Sequence, residues 1–315
     1  MAGGEAKRLV AAVDIGGTKI AAALVREDGT LTARTQRPTP AGAGAPVVLD
    51  TVLALVEELA AGPGWAAVEA VGIGSAGPVD ASAGTVSPVN IPAWRGFPLV
   101  ESVGAHPAVR ATGGPVTLIG DGVAIAEAEY WQGAAAGCRS ALCMVVSTGV
   151  GGGLILDGRV HAGLTGNAGH IGHISVDLNG EPCPCGGVGC VEGLASGTAI
   201  ARYALAHGWR APGPDTSAAA VAEAARAGDG IALAAFDRAA RALAAGIAAT
   251  ATLVEIEAVV IGGGVAQSGP VLFDPLARHL DTFAALPFVR GIRVERARLG
   301  TDAGLVGAAA AALRA

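Results

Sequence analysis

Lysine is almost missing from this chain of 315 residues: Lys7 and Lys19 are the only two, and the rest of its 21 basic residues are arginine. That bias reads as the codon composition of a GC-rich genome and carries no function. Charge of either sign is scarce, at 15% of residues against 51% hydrophobic, which excludes a disordered chain. A positive field is lacking as well. The net charge of −6 leaves no basic surface for a duplex, so no nucleic-acid partner is expected. Long apolar runs are absent: residues 303–313 are too few and too broken by glycine for the roughly 18–20 residues of a spanning helix, and no membrane partner is expected. The opening MAGGEAKRLV passes straight into an apolar strand without an apolar signal core, which predicts a cytoplasmic location.

What is plentiful is glycine. Its 49 copies lack the period of three that collagen requires, so they mark turns, close backbone approaches and ligand loops. Small side chains dominate, and the length suits one or two domains with a sizeable core. Residues 9–14, 19–25 and 31–36 read as a three-strand meander around a glycine turn, followed by a helix over 47–61 and a strand over 68–73. A strand at 116–119 runs into a helix at 122–131. The pattern then restarts with strands at 142–147 and 154–156 around a second glycine loop. Helices over 194–207, 217–227 and 231–252, a strand at 258–261 and a last helix at 303–314 complete an α/β chain. The repeated strand–glycine turn–strand predicts two related domains whose turns face a shared cleft. Their expected extents are 1–120 plus 302–315 for the smaller and 121–301 for the larger.

Three glycine loops follow strands. Asp14, Ile15, Gly16, Gly17, Thr18 and Lys19 form the first; backbone amides there can meet a phosphate while Thr18 offers a hydroxyl. Walker spacing and a G-x-G-x-x-G turn opening a helix are both absent. The second runs Ser147, Thr148, Gly149, Val150, Gly151, Gly152, Gly153, and the third is Gly262, Gly263, Gly264. One such loop is an ordinary hairpin; three favour a nucleotide held by its phosphates and base. Asp121, between a strand and a helix, is either a helix N-cap or a carboxylate poised to take a hydroxyl proton. Gly74, Ser75, Ala76 and Gly77 miss the G-x-S-x-G pattern of a serine hydrolase, because residue 73 is Ile. Five cysteines are an odd number, and in a cytoplasmic protein a tight group favours metal over disulfide. His173, Cys183, Cys185 and Cys190 supply one imidazole and three thiolates, enough for a closed tetrahedral zinc site, with Pro182, Pro184 and Gly186 turning the chain between them. Cys138 and Cys143 lie outside that group and read as plain thiols.

Taken together, DIGGTK, GSAGPVD with NIPAWRGFPL, the strand-end Asp121, STGVGGG, AGHIGH with CPCGGVGCVE, IGGGV and DAGLVGAA resemble the ROK family of sugar kinases and repressors. The resemblance runs nearly the whole chain and implies the actin-like ATPase (ribonuclease H-like) fold, two α/β domains around a cleft. Within the family the AGHIGH segment resembles the bacterial N-acetylmannosamine kinases more than the glucokinases, which carry glutamate in place of His170. It implies that Asp14, Gly16, Gly17, Thr18, Lys19, Thr148, Gly149, Val150, Gly151 and Gly152 surround the phosphates of ATP and Mg²⁺, with Gly262, Gly263 and Gly264 near the adenosine. Asp121 would accept the proton of a sugar 6-hydroxyl during in-line attack on the γ-phosphate. Ser75, Ala76, Gly77, Asn90, His170, His173 and Glu192 would border the sugar, with His173 also on a structural Zn²⁺.

Two positions depart from the family. Gly120 stands where Asn is usual, and His170 brings a ring that can donate a hydrogen bond where glutamate only accepts. A donor suits an acetamido carbonyl, although His170 could equally fill space. The expected activity is ATP-dependent 6-phosphorylation of an N-acetylhexosamine, N-acetylmannosamine or N-acetylglucosamine. A glucokinase or other hexose kinase and a catalytically weak sugar sensor are the alternatives. A repressor needs a DNA-binding segment ahead of the first strand, and few residues stand there. A homo-oligomer, dimer or tetramer, is expected.

Overall fold

A computed structural model of the chain describes residues 8–315; most of MAGGEAKRLV, on which the expected location rests, lies outside the described residues. In chain order come β1 (Leu9–Ile15), β2 (Lys19–Arg26), β3 (Leu31–Pro38), α1 (Ala45–Ala60), β4 (Val68–Ser75), β5 (Val79–Asp80) and β6 (Thr85–Val86). α2 (Leu99–Gly104), α3 (Pro107–Thr112), β7 (Val116–Gly120) and α4 (Asp121–Gln132) follow. The chain continues through β8 (Ala141–Val146), β9 (Val150–Leu156), β10 (Arg159–His161), α5 (Val191–Ala195), α6 (Gly197–Ala206), α7 (Ala218–Arg226) and α8 (Gly230–Val254). It closes with β11 (Ala258–Gly262), α9 (Pro270–Phe283), β12 (Arg293–Arg296) and α10 (Ala303–Arg314). No helix among the described residues is long and apolar enough to cross a membrane.

The internal echo becomes two sheets of the same strand order. One runs β3-β2-β1-β4-β7 and the other β10-β9-β8-β11-β12. In each, the first strand in sequence sits in the middle, antiparallel to the second and parallel to the fourth, which is itself parallel to the fifth. β1 is buried almost throughout, as its unbroken small apolar run requires, whereas β3 alternates half-buried with exposed residues as an edge strand does.

The chain forms two compact units of similar length. The first takes Met1–Ala136, Val160–Ala168 and Thr301–Ala315; the second takes Gly137–Arg159 and Gly169–Gly300. These extents differ from the expected domains at α4 and at Val160–Ala168, and packing explains both. α4 lies against α10, where a Cβ at Gly307 would overlap the Ala124 carbonyl, so the residues after Asp121 belong with the first sheet. Asn167 pins Val160–Ala168 to β5: its amide donates to the Val79 carbonyl at 2.6 Å and its carbonyl accepts the Val79 amide at 3.0 Å.

In the first unit one sheet face packs Leu, Val, Ile and Trp94 against α1, and the other packs alanines of β1 and β2 against Leu305, Ala308 and Ala309 of α10. In the second unit α8 is the central helix, burying Phe236, Leu243 and Ile247. Seven elements escaped the sequence pattern, β5, β6, α2, α3, β10, α9 and β12, and one expected helix divides. Pro270 and Pro275 obscure α9, which holds through Leu272, Leu276 and Leu280, buried four residues apart on one face. β12, RVER, is short and mostly charged. The helix expected over 194–207 is two, α5 and α6, parted at Ser196, whose hydroxyl accepts the Ala199 amide at 3.2 Å as the N-cap of α6.

Candidate active site

In the first unit, the carboxyl ends of three parallel strands meet: Asp14 and Ile15 of β1, Ser75 of β4 and Gly120 of β7, in register as Ile15 with Ser75 and Ser75 with Gly120. Ligands of such sheets bind outside these ends. Asp14 and Ile15 are the last residues of β1 and Lys19 the first of β2, so the turn itself is Gly16, Gly17 and Thr18. The Gly16 amide closes it on the Lys19 carbonyl at 3.0 Å. Thr18 is exposed, and its hydroxyl bonds to no protein group among the described residues. Gly17 has no room for a side chain, since a Cβ there would overlap the Asn90 amide. Asn90 thus lies over the turn, and Ser75, Ala76 and Gly77 leave β4 beneath it, the Ala76 amide bonding the Ile15 carbonyl at 2.9 Å.

Asp121 is not the N-cap residue of its helix. The N-cap of α4 is Gly120, Asp121 is the first helical residue, and its Oδ1 accepts the Gly122 amide at 2.7 Å. The N-cap account of Asp121 is thereby corrected. Its charge is felt by Asp14, whose carboxyl is pushed up to about 6 by burial first and by Asp121 second, with Lys19 and Arg34 pulling the other way. Gly120 has a steric reason to be glycine, for a Cβ there would stand 3.1 Å from the Gly166 carbonyl oxygen. Sequence reasoning missed Gly304, in the first turn of α10. A Cβ at that position would lie 2.5 Å from the Asp14 carboxylate, so its absence lets the acid approach the helix. The signal was DAGLVGAA, where a glycine two residues past an acid opens a helix.

The second unit repeats the turn. Ser147, Thr148 and Gly149 join β8 to β9, with the Ser147 amide on the Gly149 carbonyl at 2.8 Å. Val150, Gly151 and Gly152 are strand rather than loop, which corrects the longer glycine loop expected from sequence. Gly152 is glycine because the segment before α5 crosses β9: a Cβ would be 3.0 Å from the Gly169 carbonyl oxygen. Two further bonds, unforeseen from sequence, hold this turn from α6: the Gly197 amide to the Ser147 carbonyl at 2.7 Å and the Thr198 hydroxyl to the Thr148 carbonyl at 3.1 Å. Glu192, on α5, bonds the Val150 amide through Oε2 at 2.9 Å. Gly262 ends β11, and Gly263 turns with φ of +90° where a Cβ would strike the Val146 backbone. Gly264 then leads into a short helical turn at Val265–Ser268.

His170 is exposed and its ring centroid lies 6.0 Å from that of half-buried His173. His173 Nδ1 and the Sγ atoms of Cys183, Cys185 and Cys190 all fall within 4.8 Å of one another. The Nδ1 of His173 is 3.8 Å from Cys183 Sγ, and the sulfurs of Cys185 and Cys190 are 3.7 Å apart. A tetrahedron with Zn–S near 2.3 Å has edges of about 3.8 Å, so the donor set fits zinc. Burial, then the neighbouring Cys183 and Cys185 thiols, push the Cys190 thiol up to about 12.

A sequence model of the ROK family matches residues 10–315. The chain belongs to the ROK family. Among its ROK relatives, an N-acetylmannosamine kinase of Yersinia pseudotuberculosis is 38% identical over 298 residues, covering 95% of this chain and 96% of its own. A glucokinase of Thermotoga maritima is 34% identical over 310 residues, covering 94% of this chain and 95% of its own. The solved ROK glucokinase of Streptomyces griseus, in complex with glucose and AMPPNP, superposes with a TM-score of 0.82 at 36% identity, covering 98% of this chain and all of that one. The fold is therefore that of the actin-like ATPases, as the ROK resemblance implied.

Proposed function

We propose that the chain is an ATP-dependent sugar kinase that phosphorylates the 6-hydroxyl of an N-acetylhexosamine. The observation that carries the kinase reading is the carboxylate pair Asp14 and Asp121: they stand where β1 and β7 end, beside an exposed threonine turn, close enough for the charge of Asp121 to raise the Asp14 carboxyl. Asp121 accepts the proton of the sugar hydroxyl as it attacks the γ-phosphate. Asp14 and the turns at Thr18 and Thr148 take the Mg²⁺ and phosphates of ATP, positioning and neutralising charge. Gly262, Gly263 and Gly264 border the adenosine; Ser75, Ala76, Gly77, Asn90, His170, His173 and Glu192 border the sugar. His173, Cys183, Cys185 and Cys190 would hold zinc with four protein ligands, and its chemistry there would be structural, fixing the segment from which His170 and α5 extend.

For the substrate, His170 supports an acetamido sugar because its ring can donate to the carbonyl, and the identity with the Yersinia N-acetylmannosamine kinase agrees. Likeness to the Streptomyces griseus glucokinase favours glucose as the second reading. Initial rates with ATP across glucose, mannose, N-acetylglucosamine and N-acetylmannosamine separate them: an N-acetylated sugar should have the highest kcat/KM, and glucose equal or ahead defeats the assignment. The same reading includes a cytoplasmic location and a homo-oligomer. Leu253 and Phe283, exposed beside an apolar groove between α8 and α9, support the latter, and light scattering tests it.

A further inference from the structure

Glu192 makes one bond and leaves half its carboxylate idle. Oε2 accepts the Val150 amide at 2.9 Å, and no other hydrogen bond engages this half-buried side chain among the described residues. Oε1 is therefore spare. The carboxylate can lie where it does only because residue 149 is glycine, for a Cβ there would come within 2.6 Å of Oε2. The helix that carries Glu192 is held independently of the turn: the Val191 amide bonds the Ile174 carbonyl at 3.0 Å, and Cys190 pairs with Ser175 in a backbone bridge. On its other side the turn is fixed by Gly197 and Thr198. Glu192 thus spans from the segment of the metal ligands to the strand that leaves the phosphate turn.

We propose that Glu192 couples the two substrate sites. One oxygen holds Val150 and the other takes a sugar hydroxyl, so sugar occupancy orders the turn that receives the nucleotide phosphates. This rests on the sugar-kinase reading above. A carboxylate bonded through one oxygen still rotates about its last torsion; bonded through both, it is fixed, and the Val150 amide and Gly149 with it. A nucleotide that meets an ordered turn pays less ordering entropy, and linkage makes the gain mutual. The consequence for the reaction is that the turn is best formed when the acceptor sugar is present, which disfavours transfer of the γ-phosphate to water. Glu192 acts here as a positioning residue for the turn.

The test is calorimetric titration of the full chain with the magnesium complex of AMPPNP, alone and with saturating glucose or N-acetylmannosamine. In wild type the better sugar should lower the nucleotide Kd at least about five-fold, the lower end of ordinary coupling. In Glu192→Ala the two ligands should bind independently, and the Kd ratio should fall to about one. Gly149→Ala, which leaves α5 untouched, should push the carboxylate off the turn and weaken sugar binding, although residue 149 lies in the phosphate turn. Its penalty on nucleotide binding should shrink in the Glu192→Ala background. A five-fold gain that survives in Glu192→Ala, or in Gly149→Ala with sugar affinity unchanged, overturns the coupling. Wild type that binds both ligands without mutual effect also overturns it while the kinase reading stands. Wild type that binds neither sugar defeats that reading and the coupling with it.

Discussion

At the scale of single residues, two carboxylates carry the sharpest consequences. Asp121→Asn is expected to keep the fold while kcat falls at least about 10²-fold, the lower range of general-base effects; turnover like wild type at saturating ATP and sugar would return Asp121 to a structural role. Asp14 makes a statement about stability. Its carboxyl is raised to about 6 in the fold, against about 3.9 in an unfolded chain. Between those values the folded state holds a proton that the unfolded state has lost, so this residue's cost is present at pH 7 and relieved as pH falls through 6 towards 4. Asp14→Asn should therefore stabilise the protein at pH 7 by roughly 1–3 kcal/mol and flatten that part of the pH profile, while impairing turnover. Urea unfolding at pH 4, 5, 6 and 7 measures it, and equal curves for variant and wild type would remove the burden from Asp14.

At the scale of elements, the metal cluster and the helix contacts can each be broken singly. One zinc per chain is expected on elemental analysis, and Cys185→Ser should lose it together with thermal stability; a variant that keeps both activity and melting temperature unmakes the assignment. Because burial holds the Cys190 thiol near 12, metal binding must release protons, and zinc affinity should fall as pH falls. Gly307→Ala should cost about 1–3 kcal/mol by thermal unfolding, since its methyl has nowhere to go against the Ala124 carbonyl. Much of this was legible beforehand. β1, β2, β4, β7 and α8 announce themselves by apolar runs or helical spacing, and the zinc ligands by four donors in a short segment. What stayed hidden depended on partners distant in sequence. Val150, Gly151 and Gly152 read as loop because the glycines around Val150 have no strand preference, and the crossing of Gly169 explains why residue 152 is glycine. Gly304 and Gly120 likewise answer to atoms that no local pattern names.

At the scale of the molecule, substrate choice is the property to change. His170→Glu should move the ratio of kcat/KM for N-acetylated sugar over glucose towards glucose by roughly 5- to 150-fold, the range of one unsatisfied group; an unchanged ratio removes His170 from its cause. The division of the chain has a consequence of another kind. The first unit draws on three separate stretches, and its second sheet face is closed by α10, where Leu305 and Ala308 meet Val10 and Ala12. On the ribosome, β1 and β2 must wait, one face uncovered, for α10, which is made after the whole second unit. The N-terminal half therefore cannot mature as an independent piece during synthesis, and no continuous gene fragment that fails to reach from β1 to α10 carries the first unit whole.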